Sequence, residues 1–370
     1  MFLSLRYSFT FLLTLLLTSP SFTISRTMVE DHTFSPPATK ISITDHNTQS
    51  LNNAHIGSKI PGISEFKRYL SHFGYLPRQN NNTFSDEFDA ILKFALIRYQ
   101  QNLGLQVTGK LDFNTVSQMI TPRCGVPDAN LTPRNHHHHD HVHTTKNFVY
   151  FPGKPRWSRP MPMTLTYGFS RYNMIHSLSM KEIKEAFQRA FSRWASVIPV
   201  SFIEVSDDDE VEAADIKIGF YNGEHGDGEP FDGVLGVLAH SFSPEIGRLH
   251  LDAAETWAVD FRVTTSEVAV DLESVATHEI GHLLGLSHSS VKEAVMYPSL
   301  RPRDKRANLN IDDIKGVQSL YGSNPNFRSE WSLESDISAN QGAEFGVKHL
   351  RLANSLIIMI SLVHSLCTLC

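Results

Sequence analysis

Residues 278–288 read HEIGHLLGLSH, and the spacing of the histidines carries chemistry. On a helix His278 and His282 lie one turn apart on the same face. Two imidazoles so placed bind one zinc ion, and His288 supplies a third ligand once the chain bends back. Three protein ligands leave a fourth position for water, which marks a catalytic site rather than a structural one. Glu279 adjoins His278 but points towards the open side of the metal, where a carboxylate acts as a base. The chemistry predicted is attack of a metal-activated water on a polarised carbonyl.

Two further sets of residues suit metals. His225, Asp227, His240 and His250 form a four-ligand nitrogen and oxygen set with no place left for water, the composition of a structural zinc. Asp232, Asp252 and Glu255 are hard oxygen donors, and the loop at Gly233 to Leu235 offers carbonyls, which suits calcium. On the residues alone, such acidic loops are usually just solvated turns. Six histidines between 136 and 143 would bind a metal weakly, and read more readily as a solvated, low-complexity linker. A lone Cys124 sits in PRCGVPD; the two other cysteines, Cys367 and Cys370, lie at the far end of the chain. An odd thiol in an oxidising compartment is either an accident or a reactive group.

The elements that must position these groups are visible around them. Asp271 caps a helix whose apolar stripe is Leu272, Val275, Ala276, Ile280, Leu283 and Leu284, and Gly285 ends it in a left-handed turn. Upstream, SMKEIKEAFQRAFSRWASV opens with a capping box, Ser179 and Glu182, and carries an apolar face through Ile183, Ala186, Phe187, Ala190, Phe191 and Trp194. Strand-like runs lie at MPMTLTYGF, VSFIEV, ADIKIGF, VLGVLAHSF and GRLHLD, and a last helix at 312–321. VLGVLAH reads as an edge strand able to accept an extended peptide. Between 62 and 120, ISEFKRYLSHFGYL, SDEFDAILKFALIRYQQNLG (capped by Ser85) and DFNTVSQMI predict three helices.

The ends of the chain have another character. Residues 1–24 carry Arg6, an apolar run and then small and polar residues, the pattern of a secretory signal peptide. Residues 25–58 show no period and read as a flexible leader. Residues 59–128 form the three-helix domain that carries Cys124, 129–146 a histidine-rich linker and activation region, and 147–323 a second domain. A polar spacer follows at 324–351. The apolar stretch 352–370 reads as a GPI-type signal, with Ser338 and Asn340 as attachment candidates, in preference to a spanning helix. Sequons at Asn81 and Asn130 suit a secreted glycoprotein. A net charge of −6 without a basic stripe excludes nucleic acid as a partner.

The motif HEIGHLLGLSH matches the metzincin zinc motif throughout, and AVMYP puts Met296 where that family has its Met-turn. With PRCGVPD, they make the chain resemble a matrix metalloproteinase, most closely the short plant type without a hemopexin domain, over roughly residues 60–322. The resemblance implies an α+β fold. A zincin (metzincin) catalytic domain with a twisted mixed five-stranded sheet and three helices follows a small three-helix, peptidoglycan-binding-like prodomain.

It also implies a secreted zinc endopeptidase made as a zymogen, with Cys124 on the catalytic zinc until proteolysis removes it. A thiolate is a strong zinc ligand, so the role suits the residue. The implied cofactors are the catalytic zinc, the structural zinc at His225, Asp227, His240 and His250, and calcium at Asp232, Gly233, Leu235, Asp252 and Glu255. Arg123 pairs with Asp128 to hold the switch loop. One of Asp312 and Asp313 takes the ammonium group freed by activation, which falls between about His136 and Phe148. The basic run RDKR at 303–306 lies inside the catalytic domain. The segment from Met296 to Leu300 walls an apolar pocket for the residue after the cut. Partners implied are extracellular protein substrates, tissue-inhibitor-like proteins and a membrane reached through the lipid anchor. The rival reading is a catalytically weak cell-wall or matrix binding protein on the same scaffold, against which Glu279 speaks.

Overall fold

The computed structural model describes residues 41, 48–79, 83–128 and 148–328. The signal peptide, most of the leader, Asn81, Asn130, the histidine tract, Ser338, Asn340 and the apolar end lie outside the described residues. Among those described, no helix is long and apolar enough to cross a membrane.

The N-terminal part contains α1 (Thr48–Asn52), α2 (Ile63–His72), α3 (Ala90–Asn102), α4 (Phe113–Met119) and a two-residue strand, β1 (Arg123–Cys124). Helix α2 buries Ile63, Phe66, Tyr69 and Leu70, its predicted face, against Leu92, Leu96 and Tyr99 of α3. The cap of α3 differs from the one expected. Asp89 accepts the Leu92 N–H at 2.7 Å, whereas the Ser85 hydroxyl receives the buried Lys67 ammonium. Helix α1 lies in the stretch read as leader. Five residues are too few to display a period, yet Leu51 and Ala54 are buried in the same core. That core is completed by Phe231, Val237 and Tyr297 from the C-terminal part.

The C-terminal part runs β2 (Met163–Phe169), α5 (Met180–Val197), β3 (Val200–Glu204), α6 (Asp208–Ala213), β4 (Ile216–Tyr221), β5 (Val237–Ser241), β6 (Arg248–Asp252), β7 (Trp257–Ala258), β8 (Val270–Asp271), α7 (Leu272–Leu283) and α8 (Ile311–Tyr321). The main sheet has the order β1-β5-β6-β4-β2-β3, and β5 runs antiparallel to β6 while every other pair is parallel. Five of these strands form the expected mixed sheet. The sixth, β1, was not expected, because two residues carry no alternation. It pairs with β5, where Arg123 N–H donates to Gly236 O and Gly125 N–H to Ala239 O. Helix α6 is a fourth helix where three were expected. It is capped by Asp207 and buries no side chain, so it has no apolar period to read.

Two long elements hold the site against the sheet. The capping box at Ser179 and Glu182 forms as predicted, and α5 buries its whole apolar face. Each large side chain so buried stabilises the fold by roughly 1.5–3 kcal/mol. Trp194 Nε1 on α5 donates to the Thr277 carbonyl of α7 at 2.8 Å, which fixes the two helices against each other. Asp271 caps α7 through the Ser274 N–H at 3.0 Å. Helix α7 is buried on every side and not along one stripe only. Its polar residues therefore need partners or a ligand.

Candidate active site

Helix α7 carries His278, Glu279 and His282 into the interior. Gly285, at φ +100°, then turns the chain; a Cβ there would stand 2.2 Å from the Pro155 carbonyl. The turn brings His288 back beside the helix. Gly281, between the first two histidines, was not singled out in the sequence, yet a Cβ on it would lie 2.2 Å from Met296 Sδ. The Met-turn thus packs directly under the histidine helix. Asp313, opening α8, holds that turn by accepting the Val295 and Met296 N–H groups at 2.8 and 3.0 Å. Asp312 accepts a bond from Ser289 at 2.7 Å, so both aspartates already have partners here.

Cys124, His278, His282 and His288 each offer a ligand atom, and the four atoms lie within 4.8 Å of one another. Cys124 Sγ is 3.4 Å from His282 Nε2, which is 3.2 Å from His288 Nε2. Each histidine uses Nδ1 to donate elsewhere: His278 to Val295 O at 2.7 Å, His282 to Leu286 O at 2.8 Å, and His288 to Asp128 Oδ1 at 2.7 Å. Those bonds fix the tautomers and turn the Nε2 atoms towards one another. Among the described residues His278 Nε2 is buried without a hydrogen-bond partner. Burial and the neighbouring imidazoles push His278 and His282 well below the ordinary histidine value, so both are the neutral rings a metal requires. Burial, and then the Glu279 carboxylate, push the Cys124 thiol well up, a shift that a divalent cation reverses. These donors fit zinc.

Glu279 is fully buried, and among the described residues neither carboxylate oxygen has a hydrogen-bond partner. Burial pushes its carboxyl up to about 7. Beside Glu279 and His278 opens a cavity walled by Leu238, Val275, Val295, Tyr297 and Leu300, the apolar pocket expected, with Arg306 among its lining. The Arg306 guanidinium donates to the carbonyls of Ala294, Tyr297 and Ser299, bracing the pocket wall. The basic run at 303–306 is likewise tied into the fold. Arg303 donates to Thr264, Ser266 and Phe261 carbonyls, and Lys305 pairs with Asp271 at 3.1 Å.

The second cluster gathers His225, Asp227, His240 and His250. All three imidazoles converge on Asp227 Oδ2 at 2.8 Å. Despite its burial, hydrogen bonds from His240 and His250 hold Asp227 well below the usual carboxylate range. Burial pushes His250 down to about 4. Four converging donors fit a closed zinc site. Nearby, Asp252 and Glu255 are buried, and Glu255 Oε2 has no partner. Asp232, Asp252 and Glu255 each accept a backbone N–H, from Val237, Gly233 and Leu235 respectively. Burial pushes Asp252 up to about 6 and Glu255 to about 7, the strain of crowded carboxylates that a calcium ion would relieve. Leu235 is held at φ +62°, unusual for a branched-chain residue in the loop between them.

The segment from Pro122 to Asp128 lies across the cleft. Cys124 N–H donates to Pro298 O at 2.9 Å, and Leu300 N–H to Pro122 O at 2.9 Å. With the two bonds to β5, the segment is clamped from both walls. Arg123 and Asp128 form the expected pair, with both side chains 2 % exposed. Arg123 also lies 3.7 Å over the Phe73 ring and donates to Tyr69, while Tyr75 donates to Asp128. The bond from His288 to Asp128 was not foreseen, since no local spacing announces a contact 160 residues apart.

Comparison with known proteins decides the family. Residues 156–322 match the matrixin family. The chain is 60 % identical to metalloendoproteinase 4-MMP of Arabidopsis thaliana, over 75 % of this chain and 78 % of that one. The chain belongs to the matrixins. It is 53 % identical to Arabidopsis metalloendoproteinase 1-MMP, over 86 % and 84 % of the two chains, and 36 % identical to human neutrophil collagenase, over 73 % and 52 %. Residues 60–119 of this matrixin match a putative peptidoglycan binding domain, which covers the N-terminal helices. This matrixin is a metalloendopeptidase, and its cofactors are zinc and calcium.

Proposed function

We propose that this matrixin is a secreted proenzyme that cuts extracellular proteins and is locked by Cys124. The observation that carries the reading is the buried meeting of Cys124 with the three histidines, all four donor atoms within 4.8 Å. His278, His282 and His288 would hold the catalytic zinc, with the Cys124 thiolate as fourth ligand in the latent form. His225, Asp227, His240 and His250 would hold the structural zinc. Asp232, Asp252, Glu255 and the Gly233 and Leu235 carbonyls would hold calcium.

Zinc, when bound, polarises a carbonyl and acidifies water. Glu279, buried and poised near 7, takes a proton from the attacking water and returns it to the leaving amine. The edge of β5 and the wall from Pro298 to Leu300 bind an extended peptide through the backbone groups that the switch loop occupies. Met296 floors the histidine helix. Cutting between about His136 and Phe148 releases the N-terminal helices, and with them Cys124. The chain reaches the outer membrane face through a lipid anchor at Ser338 or Asn340, carries glycans at Asn81 and Asn130, and is a target for tissue-inhibitor-like proteins.

The test uses the secreted chain with its metals and a quenched peptide. Wild type is expected to be silent until its N-terminal part is cut, Cys124→Ala active without cutting, and Glu279→Ala to lose roughly 10²- to 10⁴-fold after cutting while keeping its zinc. A silent, zinc-loaded Cys124→Ala chain that stays silent after cutting would favour the cell-wall binding reading instead.

A further inference from the structure

Two of the three imidazoles in the cluster are oriented by carbonyls of the catalytic part itself, Val295 for His278 and Leu286 for His282. The third is not. His288 Nδ1 donates to Asp128 Oδ1 at 2.7 Å, and both side chains are buried, 4 % and 2 % exposed. Among the described residues Nδ1 of His288 has no other hydrogen-bond partner. Asp128 is itself tightly placed. It receives Arg123 and the Tyr75 hydroxyl, and its own N–H donates to Phe73 O. The carboxylate is thus built into the helical N-terminal part and reaches across to a histidine of the other part.

We infer that Asp128 is a positioning residue for His288, so the switch segment contributes two groups to zinc binding and not one. The first is the Cys124 sulfur. The second is the Asp128 carboxylate, which fixes the ring plane and tautomer of His288 and raises the basicity of its Nε2. The inference rests on the proposed role of His288 as a zinc ligand. Its consequence is that the latent chain holds zinc more firmly than loss of the sulfur alone would explain. Removing the segment also leaves the third histidine without its acceptor. Metal loading and metal retention are then properties of the latent form, and activation loosens the ion as it opens the site.

The experiment uses the full secreted chain carrying Glu279→Ala, so that self-cleavage cannot intervene. Zinc content is measured first, then the rate of zinc transfer to 4-(2-pyridylazo)resorcinol. Asp128→Asn is expected to release the catalytic zinc about 10- to 100-fold faster, the usual cost of losing such a partner. Cys124→Ala, which keeps Asp128, is expected to release it more slowly than the double variant Cys124→Ala, Asp128→Asn. Arg123→Met loosens the same segment but leaves the carboxylate in place. It separates general loosening from positioning, and is expected to release zinc more slowly than Asp128→Asn. A second readout is the downfield imidazole N–H proton of His288 in the zinc-loaded chain, expected in Cys124→Ala and absent in Asp128→Asn. Equal release from Arg123→Met and Asp128→Asn, or a His288 N–H unchanged in Asp128→Asn, would overturn the inference. A wild-type chain with no zinc on this cluster would instead overturn the reading of His288 as a ligand.

Discussion

Gly281→Ala sets two effects of known size against each other. Gly281 is interior to α7, where alanine is favoured over glycine by about 1 kcal/mol through helix propensity alone. On that basis the substitution should stabilise. The packing says otherwise. The added methyl would lie 2.2 Å from Met296 Sδ, 3.0 Å from Trp194 Cζ2 and 3.2 Å from Met296 Cε. Carbon-to-sulfur and carbon-to-carbon contacts need about 3.5–4.0 Å, so Met296 must retreat by more than about 1 Å. It has little room. Met296 is 2 % exposed, its N–H is held by Asp313, and Trp194 is pinned to the Thr277 carbonyl.

Overpacking costs about 1–3 kcal/mol, and a contact as short as 2.2 Å belongs in the upper part of that range, at about 2–3 kcal/mol against about 1 kcal/mol of propensity. The expected net loss is about 1–2 kcal/mol. For a domain of this size that lowers Tm by roughly 2–8 °C. Scanning calorimetry of the zinc-loaded full chain, with Gly281→Ala alone, Met296→Ala alone and both together, separates the terms. Relief of the clash by Met296→Ala should appear as a coupling of about 1 kcal/mol or more. A Tm that rises in Gly281→Ala, or effects that simply add in the double variant, would refute the packing argument.

Other outcomes follow from the same geometry. Asp252 and Glu255 are raised to about 6 and 7 in the cation-free fold, above their unfolded values near 4. The cation-free fold therefore holds protons that the unfolded chain does not. Its stability from these groups is fully present below about pH 4 and is lost as pH rises through 6 to 7. The Tm gain from calcium over EGTA should then be larger at pH 8 than at pH 5.5, and a gain independent of pH would count against calcium at these carboxylates. Arg306→Ala should free the 294–300 wall and relax the choice of residue after the cut. For two peptides differing by one methylene there, the kcat/KM ratio, ordinarily 10- to 200-fold in a snug pocket, should fall towards unity. An unchanged ratio would mean that Arg306 does not shape the pocket.

The catalytic helix was legible because every local signal agreed: Asp271 as cap, an apolar run, and Gly285 as stop. The same holds for α5, whose capping box and buried face appear as read. What could not be read depends on partners distant in sequence. Strand β1 has only two residues and exists through β5 and the Pro298–Leu300 wall. The Asp89 cap on α3 displaced Ser85 because the cap is set by where the backbone leaves its extended stretch, which a hydroxyl four residues earlier does not fix. Helix α6 buries no side chain and has only Val211 and Ala213 as apolar residues, too few to show a period. Gly281 looks like an ordinary helical glycine until Met296 is packed against it. The bond from Asp128 to His288 joins two halves of the chain that share no local pattern.

The segment around Cys124 is gripped along Pro122 to Gly125 by four backbone hydrogen bonds, two to each wall of the cleft. A chain that replaces it must be extended over about four residues, some 13 Å at the rise of a β-strand. A helix presents no free N–H or C=O groups to such walls, and a strand inside a sheet has already spent its own. A folded protein therefore becomes a substrate only in the fraction of time that a short segment has come loose. When that opening is fast and rare, the rate of cutting tracks the free energy of the local opening in the target, while the enzyme's own chemistry sets only the proportionality. Two proteins with the same cleavable sequence would then be degraded at rates differing tenfold for each 1.4 kcal/mol in local stability, so the breadth of this protease's diet is written partly in the flexibility of what it meets.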